Sequence, residues 1–190
     1  SAAGNLTATL DRLNLRTTLV AAGLGQPTSL TDPLGQTRQF TYDAAGNVLA
    51  IVDPLGNPAT HAYDLASRLV SRTDGRGRTT TFVYDALDRV TQVTDPLNGI
   101  TGFSYDGNGN LVTVTDARGS TIAHAYDSTD RLVTRTDPVG AVERFEYDLR
   151  GNPVRQTDRK GQVSTFVYDA LNRRVAAAYS PHSGSSGATD

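Results

Sequence analysis

The chain has 190 residues and a formal charge of -2, with 25 Thr, 18 Asp, 18 Gly and 17 Arg against 2 Glu and 1 Lys. Thr favours strands, Asp and Gly favour turns, and the scarce Glu and Lys are good surface helix formers, so a helical bundle is excluded. With no Cys there is no disulfide framework, thiolate zinc site, iron–sulfur centre or cysteine nucleophile, and the near-neutral charge gives no basic field to draw nucleic acid.

No apolar run approaches the ~20 residues of a membrane span, and no signal peptide opens the chain. With no Met and Ser1 first, the sequence reads as a piece of something longer. In chain order, residues 1–25 read as degenerate repeats or an amino-terminal edge. They keep Asp11 and the turn residue Asn14, but Ala21-Ala22 stand where a Tyr-Asp pair falls in later units.

Residues 26–179 are an array. Tyr-Asp pairs begin at Tyr42, Tyr63, Tyr84, Tyr105, Tyr126, Tyr147 and Tyr168, each 21 residues after the last. Two residues before each Tyr stands Phe40, His61, Phe82, Phe103, His124, Phe145 or Phe166. A second lattice runs Asp11, Asp32, Asp53, Asp74, Asp95, Asp116, Asp137 and Asp158 with the same period. Fixed-period self-similarity of this kind marks a repeat architecture.

Each unit reads as strand–turn–strand–turn. Gln36–Tyr42 is a strand with Phe40 and Tyr42 on one face, and Val48–Val52 is its return. Between them lies Asp43-Ala44-Ala45-Gly46, whose last slot is filled elsewhere by Ser67, Asp88, Gly109, Asp130, Gly151 and Asn172. These residues suit a hairpin loop closed by a bulge. The next turn, Asp53-Pro54-Leu55-Gly56, has Asp first, Pro second and a last slot that holds only Gly or Asn down the chain. Residues 180–190 read as a Ser/Gly-rich linker or tail.

The fold class is therefore all-β: an antiparallel hairpin meander with 21-residue repeats, curling into a spiral sheet or shell wall. A parallel β-solenoid is the alternative. It would stack equivalent Asp residues about 4.8 Å apart, against roughly 9.6 Å in a meander. No cation lattice is evident to offset that repulsion. Some seventeen strands exceed the ~10 that an open twisted sheet carries before curling. One face holds the Tyr and Phe slots with Val48, and the other holds Thr and small residues beside the Leu49 slot. Neither reads as plainly wet.

The unit Y-D-x-x-G-[NR]-[LV]-x-x-x-T-D-P-x-G resembles the Rhs, or tyrosine–aspartate (YD), repeat family. Asn47, Arg68, Arg89, Asn110, Arg131, Asn152 and Arg173 occupy its Asn/Arg slot. Pro153 and Arg174 depart from its apolar slot. The resemblance implies a β-sheet shell around a carboxy-terminal polypeptide cargo, often a toxin. Such shells occur in secreted or cell-surface bacterial proteins, insecticidal toxin complexes, wall-associated proteins and teneurins. Self-cleaving members carry an aspartyl protease with a Pro-x4-Asp-Pro-x-Gly core, and nothing like it follows Tyr179.

No catalytic, cofactor-binding or metal-binding residue is assigned, and no cofactor. The repeated Asp residues are expected to accept backbone N–H bonds in their own turns, because a catalytic pair appears once and these appear fifteen times. His61 and His124 are expected to be aromatic-sized substitutes in the wall, and His182 falls in the tail. Arg76-Gly-Arg78 and Arg173-Arg174 are expected to pair with Asp or solvate turns. Asn5-Leu6-Thr7 matches the glycosylation sequon once.

The expected function is a non-catalytic structural segment of such a shell. Its partners would be the rest of the shell and its cargo, with no nucleic acid and no membrane span. The alternatives are a module binding cell-surface carbohydrate or protein, and a fibre subunit that associates edge to edge.

Overall fold

The computed structural model describes residues 8–13, 15–22 and 25–180. Asn5-Leu6-Thr7, Asn14, His182 and the tail after Ser180 lie outside the described residues.

Two compact units divide the chain, residues 1–100 and 101–190. The first contains β1 (Ala8–Leu10), β2 (Arg16–Ala21), β3 (Pro27–Thr31), β4 (Thr37–Tyr42), β5 (Val48–Val52), β6 (Pro58–Tyr63), β7 (Leu69–Thr73), β8 (Thr79–Tyr84) and β9 (Val90–Thr94). Next come β10 (Ile100–Tyr105), which begins at the boundary, β11 (Leu111–Thr115), β12 (Thr121–Tyr126), β13 (Leu132–Thr136), β14 (Val142–Tyr147), β15 (Pro153–Thr157), β16 (Val163–Tyr168) and β17 (Arg174–Ser180). Within each unit consecutive strands pair antiparallel, which excludes the solenoid.

The turns follow from local chemistry. In the Tyr42 unit, the Gly46 N–H donates to the Asp43 carbonyl at 3.2 Å, and the Asp43 N–H donates to the Asn47 carbonyl at 3.0 Å. The Asp53 turn repeats this geometry, with Gly56 to Asp53 at 3.0 Å and Asp53 to Asn57 at 3.1 Å. Closing such a loop requires a left-handed residue in the fourth slot. That slot is left-handed in both turns, with φ of 93° at Gly46 and 84° at Gly56. Ser67, Asp88, Asp130 and Asn172 adopt the same region in the first turn, as Asn98 does in the second.

A further irregularity lies inside each hairpin. Tyr42 stands opposite Val48, yet Thr41 stands opposite Ala50, so the Leu49 slot is an extra residue on the return strand. The same shift recurs where Tyr63, Tyr84, Tyr105, Tyr126, Tyr147 and Tyr168 meet their partner strands. Such a bulge resets the two-residue alternation. Val48 keeps company with Tyr42, and Ile51 rather than Ala50 stands across from Phe40.

The two faces differ more than the sequence suggested. Along β6 and β8, exposed and half-buried residues alternate, with the His61, Tyr63, Phe82 and Tyr84 side half-buried. Phe40, Phe82 and Phe103 stand across from Ile51, Val93 and Val114, whereas the exposed side of β6 carries only Pro58, Thr60 and Ala62. None of the described side chains is fully buried, so neither unit contains a closed core.

Candidate functional site

The conspicuous chemistry is the pair of Asp lattices, and the structure places every member in a turn. Asp53 Oδ1 accepts the N–H groups of Leu55 at 2.9 Å and Asn57 at 2.8 Å. Asp74 does the same with Arg76 at 2.9 Å and Arg78 at 3.0 Å. Asp43, Asp64, Asp85, Asp106, Asp127, Asp148 and Asp169 repeat the pattern in the first turn. Asp11, Asp32, Asp95, Asp116, Asp137 and Asp158 repeat it in the second. One short carboxylate thus satisfies two N–H groups that the tight loop leaves without backbone partners.

The second carboxylate oxygen meets the Asn/Arg slot. Asn47 Nδ2 donates to Asp43 Oδ2 at 2.9 Å and to Ser67 Oγ of the next unit at 3.0 Å. Arg68 Nε donates to Asp64 Oδ2 at 2.7 Å, while Arg68 Nη1 reaches the Asp85 carbonyl at 3.2 Å and Asp88 Oδ1 at 2.6 Å. Its guanidinium also lies 4.9 Å from the centre of the Tyr84 ring. Arg131 repeats this with Asp127 at 2.7 Å, the Asp148 carbonyl at 3.1 Å and the Tyr147 ring at 4.8 Å. Asn110 and Asn152 likewise bridge to Asp130 and Asn172.

The expectation that the Asp residues lack a cation lattice is therefore corrected. Cations stand four residues after Asp64, Asp85, Asp127 and Asp169. The signal was present in the Arg members of the slot, but their pairing became visible only with the loop closed. Both basic clusters contribute to turns, through Arg78 with Asp74 and Arg173 with Asp169.

In several of the turns these bonds favour the ionised carboxylate. The Arg78 side chain, followed by its backbone N–H, lowers Asp74 to about 2. At Asp43 and Asp106 the leading cause of the lowered value is the amide of Asn47 or Asn110. At Asp127 burial opposes ionisation, but bonds from Thr129 and Arg131 together hold the carboxyl well below its ordinary value. Carboxylates fixed in the ionised form, each committed to its own loop, are poorly placed to exchange protons with a substrate.

The tyrosines join neighbouring units. Hydroxyls of Tyr42, Tyr84, Tyr126 and Tyr147 donate to the carbonyls of Pro27, Leu69, Leu111 and Leu132 at 2.8, 2.8, 3.0 and 2.9 Å. Each bond spans fifteen residues back, to the residue beside the preceding bulge. Arg174, which departs from the apolar slot, lies 5.5 Å from the Phe166 ring centre. His61 and His124 occupy the aromatic face as expected, each with a buried Nδ1 that has no hydrogen-bond partner.

Among the described residues, no group of three or more His, Asp or Glu is arranged to hold a metal ion. An open groove of ≈ 800 Å³ runs between the β3–β4 and β5–β6 turns, lined in part by Leu34, Arg38, Gln39, Asp53 and Leu55. It contains no facing pair of acids. No helix of the described residues is long and apolar enough to cross a membrane, which says nothing of spanning strands.

The fold is similar to that of the crystal structure of TcdB2-TccC3-TEV, with a TM-score of 0.76 at 16% identity over 95% of this chain and 11% of that one. It is also similar to the Photorhabdus luminescens Tc holotoxin pore, with a TM-score of 0.53 at 14% identity over 92% of this chain and 13% of that one. The chain thus spans little more than a tenth of the solved chains it matches. No curated protein matches the sequence. The family model described as Teneurin YD-shell matches residues 25–185. With seven Tyr-Asp hairpins, their paired Asp turns and a match across nearly its whole length, the chain belongs to the teneurin YD-shell family.

Proposed function

We propose that this chain is a non-catalytic wall segment of a YD shell, and that the shell encloses or presents a polypeptide cargo in a secreted or cell-surface protein. The observation that carries this reading is the commitment of all fifteen lattice carboxylates to their own loops. The repeated chemistry is spent on making identical hairpins. Unbroken repetition of a hairpin is how a chain builds an extended wall from local rules.

The test is electron microscopy of the full-length gene product, together with limited proteolysis. Expected is a sheet-walled cavity containing polypeptide density that resists protease until the wall is opened. An empty cavity, or a solid sandwich in which two sheets fill the interior between them, overturns the cargo reading. A hydrolase screen in which turnover is lost on changing one lattice Asp, but not its neighbours, overturns the non-catalytic one.

A second reading, the edge-associating fibre subunit, draws on β17. All of its residues are exposed, a pattern no other described strand shows.

A further inference from the structure

The seven Tyr-Asp hairpins carry Phe in five aromatic slots and His in two. Strand register reveals what stands across from each. Phe40, Phe82 and Phe103 face Ile51, Val93 and Val114, while Phe145 and Phe166 face Gln156 and Ala177. His61 and His124 face Arg72 and Arg135. In these hairpins, a cation stands across the aromatic slot only where that slot holds His. A neutral imidazole tolerates a guanidinium directly opposite, but an imidazolium there is a like-charge pair.

The surroundings of His124 give little relief. β11 contributes no titratable side chain, β13 contributes Arg135, and His124's own strand contributes Tyr126. One strand further on, Glu143 of β14 stands opposite Arg135, its carboxylate 3.9 Å from the guanidinium. Glu143 also accepts a bond from Gln156 Nε2 at 2.8 Å. The acid is thus shared and lies across β13 from His124. His61 also faces an arginine, Arg72, but there Thr80 rather than an acid stands opposite the arginine.

We propose that His124 and Arg135 form an acid-sensitive rung, at which proton uptake by the imidazole loosens the pairing of β12 with β13. The buried, unpartnered Nδ1 marks an imidazole that the fold accepts as neutral. Burial, followed by the charge of Arg135, lowers the His124 pKa from 6.5. The unfolded chain therefore takes up this proton more readily than the folded one. Stability at the rung falls as pH drops through 6.5 toward the folded value. That window lies above the one between 3.8 and about 2 in which Asp74 titrates, so the two responses separate.

The experiment is amide hydrogen exchange on the full chain at about pH 7.5 and about pH 5, corrected for intrinsic exchange. Expected is a several-fold loss of protection in β12 and β13 at the lower pH. His124→Phe should abolish that loss, and Arg135→Val should reduce it. The Phe variant is expected to fold, since Phe fills five equivalent slots. No loss in the parent chain, or an equal loss in either variant, overturns the proposal. So does an NMR titration in which His124 protonates with, or above, an unstructured histidine.

Discussion

At the scale of single residues, a turn carboxylate does the work of a small scaffold. Asp53 holds two N–H groups through one oxygen and the Asn57 side chain through the other. Asp53→Ala removes every one of these acceptor contacts and should lower the melting temperature by a few degrees, while Asp53→Asn, which keeps one acceptor oxygen, should lower it less. Thermal melts followed by circular dichroism check this ordering. The direction of the pH response follows from the same bonds. A carboxyl whose folded pKa lies below its unfolded value stabilises the fold above the unfolded value and loses that contribution as pH falls toward the folded one. For Asp74 the limits are 3.8 and about 2. The hairpins should therefore lose β signal between about pH 4 and about pH 2 in an acid titration, and a signal that persists unchanged through that range contradicts the assignment.

At the scale of strands and turns, two features control how hairpins join. Tyr84 on β8 reaches the Leu69 carbonyl on β7, while Arg68 covers its ring. Tyr84→Phe keeps the ring contact and deletes the hydrogen bond, so it should cost about 1 kcal/mol in denaturant unfolding. The second feature is the left-handed turn slot. Nothing stands within 4 Å of a Cβ placed on Gly56, so a substitution there is opposed by backbone conformation alone. Gly56→Val should destabilise by roughly 1–2 kcal/mol, and Gly56→Asn by clearly less, because Asn tolerates that region. Asn98 already fills the equivalent slot at φ 65°. Equal destabilisation by Val and Asn would place the cost somewhere other than the backbone.

At the scale of the molecule, the absence of any fully buried described side chain matters most. Domains ordinarily gain stability by packing two layers around a core. In each unit here the bonds run from a hairpin to its neighbours, and stability then accumulates repeat by repeat. A half-buried aromatic face gains from cover, and long exposed edge strands attract pairing partners. β17 presents Val175 at 60% exposure and Tyr179 at 59%. Residues 1–190 in isolation are expected to self-associate through this strand, measured by light scattering over a concentration series. Val175→Lys combined with Ala178→Lys should suppress association. A parent chain that stays monomeric at high concentration, or association unaffected by the two lysines, removes the fibre reading.

The sequence by itself determined what is local. A carboxylate reaches N–H groups two and four residues ahead, and a left-handed slot admits Gly, Asn, Asp or Ser. Both turns, the strand spacing and the structural role of the Asp lattices could therefore be read from a 21-residue unit. The strand before Tyr42 begins one residue later than the pattern suggests, at Thr37. Tertiary structure decided what depends on pairing between strands. The extra residue in the Leu49 slot becomes a bulge only when β4 lies beside β5, and it brings Ile51 rather than Ala50 opposite Phe40. Pairing also carried the Tyr84 hydroxyl to Leu69, the Arg68 guanidinium to Asp88 and Arg135 to a position opposite His124. These contacts join residues far apart along the chain, where no local spacing rule applies and the strand register alone sets who meets whom.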